Sequence, residues 1–341
     1  MNLKAEDLQW LQTPSARLEA ELCIKAISKM FKIPTLILLL ACHTLSADLR
    51  EIYRFPNGTW IENIAARTNG NLLVTLINKP ELWQINPWTR SGHASAHLVH
   101  HFDEAKQMNG IAELEQDTYA IIASDSVWTI SLGQNGGASI PEHIATFPSG
   151  LLNGMATLDG GRAVVLSDSE RGLIYRLDMQ TGEYTVIHQD KTMAPADYLG
   201  LQLGINGLRV ARDYLYYSNT AKRLFCRVRI DLRTGQAKGP YEVISGGVLS
   251  DDFAVGPGDV GFLAGAMDNV VTKVWPDGYH EIAAGSKNST LLMTATSAAF
   301  GRGKSDRGVL YVTTGGETEL PVNSTVTRGG KVMALAVDSY V

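Results

Sequence analysis

The sequence predicts an all-β protein, a six-bladed β-propeller, from three observations. Six similar segments follow one another at spacings of 47, 44, 53, 46 and 45 residues, and a period in the mid-forties is typical of propeller blades. Each segment opens with a polar residue and continues into apolar, β-branched runs separated by Gly, Asp and Asn turns, as strands buried between neighbouring sheets require. The 341 residues, 45% of them hydrophobic, are enough for one large core.

The ends of the repeat predict how the ring closes. The segments open at Glu62, Asn109, Asn153, Asn206, Asp252 and Ser297. The last segment supplies only three strands, at Thr296–Phe300, Val309–Thr313 and Lys331–Val337. One unassigned strand, Leu49–Phe55, precedes the first segment, and we expect it to complete the last blade. Such closure by an N-terminal strand removes the open sheet edges that promote aggregation.

The first 47 residues have a different composition from the repeats. Residues 30–47 combine a basic start at Lys32, a short apolar run at Ile33–Ala41 and small residues before position 48, which is typical of a secretory signal peptide. An ordinary buried strand or helix is the alternative. We interpret residues 1–29 as a disordered extension, with Met1 or Met30 as the translation start, and residues 48–341 as the propeller. The apolar run is too short to span a bilayer comfortably, so we expect no stable membrane span after signal cleavage.

Several features agree with a location in the secretory pathway, either secreted or in a secretory or vacuolar lumen. Three sequons offer N-glycosylation sites at Asn57, Asn288 and Asn323. Cys226 would be the one cysteine in the mature chain, so stability must come from the core rather than from an internal disulfide.

A net charge of −5 gives no basic surface for nucleic acid. The sequence leaves the oligomeric state open.

The segment openings predict a small-molecule site, because the innermost strands of a propeller converge on one axial channel. Polar side chains from six distant segments would meet there, with Asp251 and Thr296 beside them. The alternative is that Asn-Gly and Asp merely form the turn into each inner strand. The histidines of residues 93–101 fall in an expected outer strand and loop, where a metal site is not expected; they are His93, His97, His100 and His101.

The blade motifs resemble those of the regucalcin and gluconolactonase family of six-bladed propellers. The matching stretches are E-x-x-A from Glu62, N-G-M-A from Asn153, N-G-L from Asn206, D-x-A-V from Asp252 and TSAAFG with LYVTTGG in the last segment. In that family a divalent cation lies in the channel. The resemblance implies that Glu62, Asn206 and Asp252 would hold Ca²⁺, Mg²⁺ or Mn²⁺, with Asn153 helping to bind substrate; all-oxygen ligands suit these ions.

The first segment, FPNGTWIENIAARTNGNLLVTLINKPELWQINP, is similar to a fungal branch of that family found in natural-product biosynthesis. That branch includes the hetero-Diels–Alderases of tropolone–sesquiterpenoid biosynthesis. The resemblance implies an intermolecular cycloaddition of a tropolone-type quinone methide with a sesquiterpene alkene, and no cofactor. The catalytic residues would be Glu62, Asn153, Asn206 and Asp252, of which Glu62 or Asp252 would act as the base that expels water from a precursor. Substrate would contact Trp60, Asn109, Tyr198, Thr296 and Ser297.

Three functions therefore stay open at the level of sequence. The first is the cyclase of secondary metabolism, and the second is a divalent-metal-dependent lactonase or related hydrolase. The third is a propeller that binds a small molecule without transforming it. Trp60, Trp83 and Leu201 would cover an apolar reactant in the cyclase, although packing at the rim is an equally simple reason for the two tryptophans.

Overall fold

In a computed structural model of the protein, the structure describes residues 49–88, 94–133, 137–148, 150–303, 305–317 and 328–337. The described residues form 26 strands and two short 3-10 turns, Asp159–Gly161 and Pro257–Asp259. Six four-stranded antiparallel sheets contain all but two of the strands. The predicted six-bladed all-β propeller is confirmed. The predictions for residues 1–47, a signal peptide and an extension before it, lie outside the described residues.

The N-terminal strand is β1 (Leu49–Arg54), and it belongs to the last blade. Blade 1 contains β2 (Ile61–Ala66), β3 (Leu72–Leu76), β4 (Glu81–Asn86) and β5 (Ser95–His101). Blade 2 contains β6 (Met108–Glu115), β7 (Thr118–Ala123), β8 (Ser126–Ser131) and β9 (Glu142–Thr146). Blade 3 contains β10 (Leu152–Leu158), β11 (Ala163–Asp168), β12 (Leu173–Asp178) and β13 (Tyr184–Gln189).

An additional hairpin separates blades 3 and 4. Its strands are β14 (Ala196–Tyr198) and β15 (Leu201–Leu203), paired antiparallel with Tyr198 opposite Leu201. Blade 4 contains β16 (Ile205–Ala211), β17 (Tyr214–Asn219), β18 (Leu224–Ile230) and β19 (Ala237–Gly246). Blade 5 contains β20 (Phe253–Val255), β21 (Gly261–Ala264), β22 (Val270–Val274) and β23 (His280–Gly285).

Blade 6 joins the two ends of the chain. It contains β24 (Ala295–Phe300), β25 (Val309–Thr314) and β26 (Lys331–Ala336), with β1 as its outer strand. β1 and β26 run antiparallel, with Leu49 opposite Leu335 and Arg54 opposite Lys331. The predicted closure of the ring by an N-terminal strand is therefore confirmed.

The core lies between the blades rather than at one centre. The second strands are the most buried elements: every residue of β3 and of β11 is buried, because these strands are covered on both faces by neighbouring sheets. The six inner strands contact one another in sequence around the ring, and β2 contacts β24. Blade order and inner-strand packing together bring the first residues of the inner strands to one end of the axis.

Glycine residues allow three of the inner strands to pack closely against the neighbouring inner strand. A Cβ on Gly110 would lie 2.6 Å from the carbonyl oxygen of Asn153, and one on Gly154 would lie 2.6 Å from that of Asn206. At Gly207 it would lie 2.1 Å from a carboxylate oxygen of Asp252. The Asn-Gly pairs of the repeat therefore serve strand packing as well as the turn.

Candidate active site

Each inner strand carries a polar side chain at the same position, which we call the opener. The opener is the residue two positions before the inner-strand residue that pairs with the middle of the second strand. That pairing residue is Ile64 in blade 1, opposite Val74. It is Phe253 in blade 5, opposite Leu263, and Ala298 in blade 6, opposite Val312. Counting two residues back gives Glu62, Asn109, Asn153, Asn206, Asp251 and Thr296. In blades 5 and 6 the openers are thus Asp251 and Thr296, one residue before the Asp252 and Ser297 assigned from sequence.

Hydrogen bonds between blades fix the openers in place and support this equivalence. Thr75, Ser167 and Ser218 lie at matching positions on second strands. Their hydroxyls donate to the carbonyl oxygen of the opener in the next blade, at 2.7, 2.6 and 2.7 Å. In blade 5 the acceptor is the carbonyl of Asp251, as the register requires. Each such bond holds the backbone beneath an opener side chain.

A cavity of about 310 Å³ lies at the openers' end of the axis. Of the residues predicted from sequence to contact substrate, five line it: Trp60, Glu62, Asn153, Tyr198 and Leu201. The polar lining is completed by Gln107, Thr220, Asp251 and Thr294, and the apolar lining consists of Ile77, Leu151, Leu199, Leu201, Leu203, Ala266 and Met267. A mostly apolar wall with a few convergent polar groups is the usual composition of a small-molecule site, and the volume is at the lower end of the usual range.

The hairpin β14–β15 supplies one wall of this cavity. Leu199 and Leu201 line it and are 64% and 62% exposed, so apolar surface faces the space where a ligand would lie. Tyr198 lies beside them, and its hydroxyl is buried without a hydrogen-bond partner among the described residues. Burial raises the pKa of Tyr198 to about 12, so the phenol keeps its proton and can donate a hydrogen bond to a ligand.

Glu62 and Trp60 lie together on the opposite wall. The indole Nε1 of Trp60 donates to Oε2 of Glu62 at 2.9 Å, and Glu62 is buried. The indole ring packs directly on the backbone of Gly315, where a Cβ would lie 2.7 Å from the ring. The absence of a side chain at position 315 therefore allows Trp60 to hold Glu62 at the cavity wall.

Asp251 is the acidic group of blade 5 that faces the cavity. The amide Nδ2 of Asn206 donates to its Oδ1 at 2.6 Å and to Oγ1 of Thr220 at 2.9 Å. Burial, followed by the nearby charge of Asp252, raises the pKa of Asp251 to about 7. Such a carboxyl group can give or accept a proton near neutral pH. Asn206 holds it in place and does not itself line the cavity.

Asp252 lies in a separate network that we call the floor network, formed by Asn63, Arg209, Asp252 and Ser297. Oδ2 of Asp252 accepts from Arg209 at 2.7 Å, from Asn63 at 3.0 Å and from Ser297 at 3.0 Å. All but Arg209 are at most 3% exposed. These side chains come from blades 1, 4, 5 and 6; Asn63, Asp252 and Ser297 each follow an opener by one residue, and Arg209 follows Asn206 by three. The predicted catalytic role of Asp252 stays a prediction, with its carboxylate already paired.

Two other predicted residues bond to neighbouring blades. Nδ2 of Asn109 donates to the carbonyl of Leu152, while its Oδ1 is buried with no partner in the part of the chain that the structure describes. The hydroxyl of Thr296 donates to the carbonyl of Ile61 at 2.8 Å. Neither lines the cavity, so the structure assigns both to the contacts between inner strands, and their proposed contacts with substrate stay untested.

The predicted metal ligands Glu62, Asn206 and Asp252 are not brought together as a set, because Asp252 is paired with Arg209 outside the cavity. By register its place among the openers belongs to Asp251, which lies next to Asn206. Nδ2 of Asn206 donates to Asp251, while its Oδ1 is buried without a partner among the described residues. Within the described ranges no group of three or more His, Cys, Asp or Glu side chains could hold a metal ion. A divalent cation at the openers stays a prediction.

The remaining sequence predictions concern the surface. Asn57 and Asn288 are exposed, as glycosylation requires, whereas Asn323 lies outside the described residues. His97, His100 and His101 lie on the outer strand β5, and His93 lies outside the described residues. Trp83 packs edge-on against Phe55 with its ring centroid at 5.4 Å and does not line the cavity. In the part of the chain that the structure describes, no helix is long and apolar enough to cross a membrane.

The chain is similar to known proteins in sequence and in fold. The chain is 30% identical over 312 residues to a protein of Phoma sp. named as a hetero-Diels-Alderase, a match that covers 80% of this chain and 88% of the relative. The chain belongs to the hetero-Diels-Alderase family. A second member of that family, asR5 of Sarocladium schorii, is 28% identical over 318 residues, which is 77% of each chain. No family profile matches the chain.

Solved structures agree with the fold of this hetero-Diels-Alderase family member. A calcium-binding regucalcin from Agrobacterium tumefaciens superposes with a TM-score of 0.63 at 19% identity, over 86% of this chain and 95% of that one. A luciferin-regenerating enzyme gives 0.64 at 14% identity, over 86% and 96%. The expected resemblance to regucalcin-like propellers and to the hetero-Diels-Alderases is confirmed. At 19% and 14% identity, the solved structures show the fold alone.

Proposed function

We propose that the protein is a small-molecule cyclase that joins two reactants by an intermolecular hetero-Diels–Alder cycloaddition in the axial cavity. The observation that carries the proposal is the pairing of exposed apolar side chains with an unpartnered buried donor on one hairpin, Leu199 and Leu201 beside Tyr198. Membership of the hetero-Diels-Alderase family supports the reaction class. The reactants would be a tropolone-type quinone methide and a sesquiterpene alkene.

The apolar wall would hold the alkene. A sesquiterpene offers almost only hydrocarbon surface, and burial of that surface against Leu199, Leu201 and Met267 is favourable by roughly 25 cal/mol per Å². Holding two reactants in register contributes about 7–11 kcal/mol to rate acceleration at best. A cycloaddition that needs no covalent catalyst can gain most of its acceleration in this way.

Tyr198 would activate the heterodiene. As the new bonds form, negative charge grows on the carbonyl oxygen of the quinone methide, and a fixed hydrogen-bond donor stabilises that charge. The hydroxyl of Tyr198 is buried and has no partner among the described residues, so it is available to this oxygen. Asn153, on the same cavity, would supply a second donor.

The two carboxyl groups of the cavity would generate the quinone methide from an alcohol precursor. Glu62 would take the proton of the ring hydroxyl, and protonated Asp251 would give its proton to the side-chain hydroxyl, which leaves as water. The ring C–O–H electrons then form the carbonyl, and the exocyclic double bond replaces the broken C–O bond. A pKa of about 7 for Asp251 suits this donation near neutrality.

The test is turnover by purified protein with an alcohol precursor of a tropolone quinone methide and a sesquiterpene alkene. We expect faster formation of one stereoisomer than in buffer, unchanged by a chelator, and strong loss in Glu62→Gln. The chain with Asp213→Asn, an exposed carboxylate paired with Arg229, is the matched control and should retain activity.

Other outcomes would contradict the proposal. Hydrolysis of an aldonolactone that a chelator abolishes would favour the metal-dependent lactonase. Tight binding of the adduct by calorimetry, with no acceleration of either step, would favour a propeller that binds the compound without transforming it.

A further inference from the structure

A second concave surface lies between blades 3 and 4, at the end of the inner strands away from the cavity. β10 begins at the cavity and ends at Leu158, and the turn that follows it forms one side of the groove. The groove has a volume of about 420 Å³. We call it the arginine groove, after Arg162, Arg176 and Arg233, which line it together with Asp159.

The charges of the arginine groove are unbalanced. Asp159 pairs with Arg162 through two hydrogen bonds, at 3.0 and 2.8 Å. Among the described residues neither Arg176 nor Arg233 has a carboxylate within salt-bridge distance, and Nε of Arg176 is buried without an acceptor. Three guanidinium groups and one carboxylate thus line the groove, on a chain whose net charge is −5. Backbone hydrogen bonds lower the pKa of the Asp178 carboxyl group, and the charge of Arg176 lowers it further.

The three guanidinium groups also act on the same carboxylate, that of Asp159. The Arg162 guanidinium lowers the pKa of Asp159, and the positive charges of Arg176 and Arg233 lower it further. Like charges gathered around one concave surface repel one another, and an anion bound between them relieves that repulsion. A buried donor without an acceptor costs free energy in the same way until a ligand oxygen meets it.

Hydrogen bonds hold the walls of the groove before any ligand arrives. The backbone N–H of Asp159 in blade 3 donates to the carbonyl of Leu232 in blade 4 at 3.1 Å. Oδ1 of Asp231 accepts from the backbone N–H of Arg233 at 3.1 Å, and a ring nitrogen of His188 lies 2.8 Å from the carbonyl oxygen of Gly235. The backbone that carries Arg233 is therefore fixed, which lowers the entropic cost of binding.

We propose that the arginine groove is a binding site for a phosphate group. Guanidinium groups match the oxygens of a phosphate in paired, charge-assisted hydrogen bonds, and the hydroxyl of Thr185 adds a donor on the same surface. The hydroxyl of Thr234, also in the groove, already donates to Asp231 at 3.2 Å. An adjoining depression of about 410 Å³ shares Asp159, Arg162 and Arg233 with the groove and has Leu158, Val210 and Leu232 as its apolar lining. The phosphate can therefore be free in solution or can carry an apolar group, as in a lipid headgroup.

Titration of the purified protein with inorganic phosphate, at constant ionic strength set by chloride, tests the site. Phosphate should raise the melting temperature, and the stabilisation should grow with the logarithm of the phosphate concentration above the dissociation constant. Isothermal calorimetry should give a single saturable site. We expect Arg176→Gln and Arg233→Gln each to weaken phosphate binding roughly tenfold. Arg229→Gln, which removes an exposed arginine already paired with Asp213, should bind phosphate as the unaltered chain does.

A second arm separates the two sources. Co-sedimentation with vesicles that contain phosphatidic acid, against vesicles of phosphatidylcholine alone, should show binding that depends on Arg176 and Arg233 if the phosphate belongs to a lipid. Calorimetric binding without co-sedimentation would assign a free phosphate. The proposal is wrong if phosphate and chloride stabilise the chain equally and the chain co-sediments with neither kind of vesicle. It is also wrong if Arg176→Gln, Arg233→Gln and Arg229→Gln bind phosphate with the same affinity. Cyclase activity is not needed for either readout.

Discussion

Asp251 and Asp252 are neighbours in the chain with opposite surroundings. Asp251 faces the cavity, receives one hydrogen bond from Asn206 and has its pKa raised to about 7, mainly by burial. Asp252 accepts from Arg209, Asn63 and Ser297. Identical side chains in adjacent positions thus have different chemistry, because only one of them meets a cation.

Asp251→Asn should stabilise the protein while it abolishes proton transfer. The folded-state pKa lies above the ordinary value of 3.8, so the favourable contribution of the protonated carboxyl group is complete below pH 3.8 and is lost as the pH rises through about 7. The substitution removes that loss. Melting curves should show a gain of roughly 3–6 °C at pH 8 and less at pH 5, and quinone methide formation should fall roughly 10²–10⁴-fold. An equal gain at both pH values would contradict the assignment.

Asp252→Ala should have the reverse effect on stability. It leaves Arg209 without its carboxylate, next to the buried amide and hydroxyl of the floor network, and such a loss costs about 3 kcal/mol. Urea denaturation at pH 7 measures the difference. An unchanged midpoint would show that water reaches Arg209 and replaces the carboxylate.

Tyr198→Phe should reduce the cycloaddition without changing the fold. The lost hydroxyl is buried and has no partner among the described residues, so its removal leaves no protein group unsatisfied and the melting temperature should stay the same or rise. The rate with a preformed quinone methide should fall about 10- to 100-fold through the lost donor to its carbonyl. Equal rates for the two proteins, with saturating reactants, would remove Tyr198 from the mechanism.

At the scale of single residues the sequence predicts part of the cavity. Glu62, Asn153, Trp60 and Tyr198 are predicted to be at the site and do line the cavity. The assignment of Asp252 rather than Asp251 as an opener follows from two adjacent acidic residues, between which composition cannot choose. Strand register decides, since a shift of one residue reverses the face of every side chain.

The hairpin β14–β15 is the element that distinguishes one side of the cavity from the other. It adds Tyr198, Leu199, Leu201 and Leu203 to the lining, whereas blades 1 and 2 meet with no hairpin between them in the described residues. The repeat spacing of 53 residues between Asn153 and Asn206, against 44–47 elsewhere, is the sequence signal for this insertion. Its short strands carry too few residues for their pairing to be predicted from periodicity.

Leu201→Ala should weaken binding of the apolar reactant without changing stability. Leu201 is 62% exposed in the free protein, so truncation removes little buried surface from the core. Loss of contact with a terpene should raise the KM for the alkene roughly 3- to 30-fold. Ile282→Ala is the matched control, because Ile282 is equally exposed at 62% but lies on the outer strand of blade 5. A similar KM for both variants would place the alkene elsewhere.

The whole molecule depends on closure of the ring by β1. Ile52 and Tyr53 of that strand pack on the core between blades 6 and 1. A chain that begins at Pro56 should melt about 10 °C or more below one that begins at Asp48, because the edge of β26 and the hydrophobic surface beneath β1 become exposed. Differential scanning calorimetry measures the difference, and size-exclusion chromatography should show aggregation of the shorter chain. Equal melting temperatures would mean that blade 6 is stable with three strands.

At the scale of the whole molecule, the six-bladed fold can be predicted from the sequence for a physical reason. A repeat of six blades specifies the same local pattern six times, so errors at one boundary do not change the architecture. The site is specified only once, by residues that differ between blades, such as Asp251, Thr220 and Gln107. Their convergence depends on three-dimensional register that no single segment reveals.

The floor network has a kinetic consequence. Because Asn63, Arg209, Asp252 and Ser297 are hydrogen-bonded to one another across four blades below the cavity, we expect the channel to be closed on that side. In the proposed cyclase both starting compounds would then come in, and the larger adduct would go out, over the same rim. Accumulated adduct would obstruct the next round of synthesis, and progress curves should slow competitively long before the reactants are exhausted.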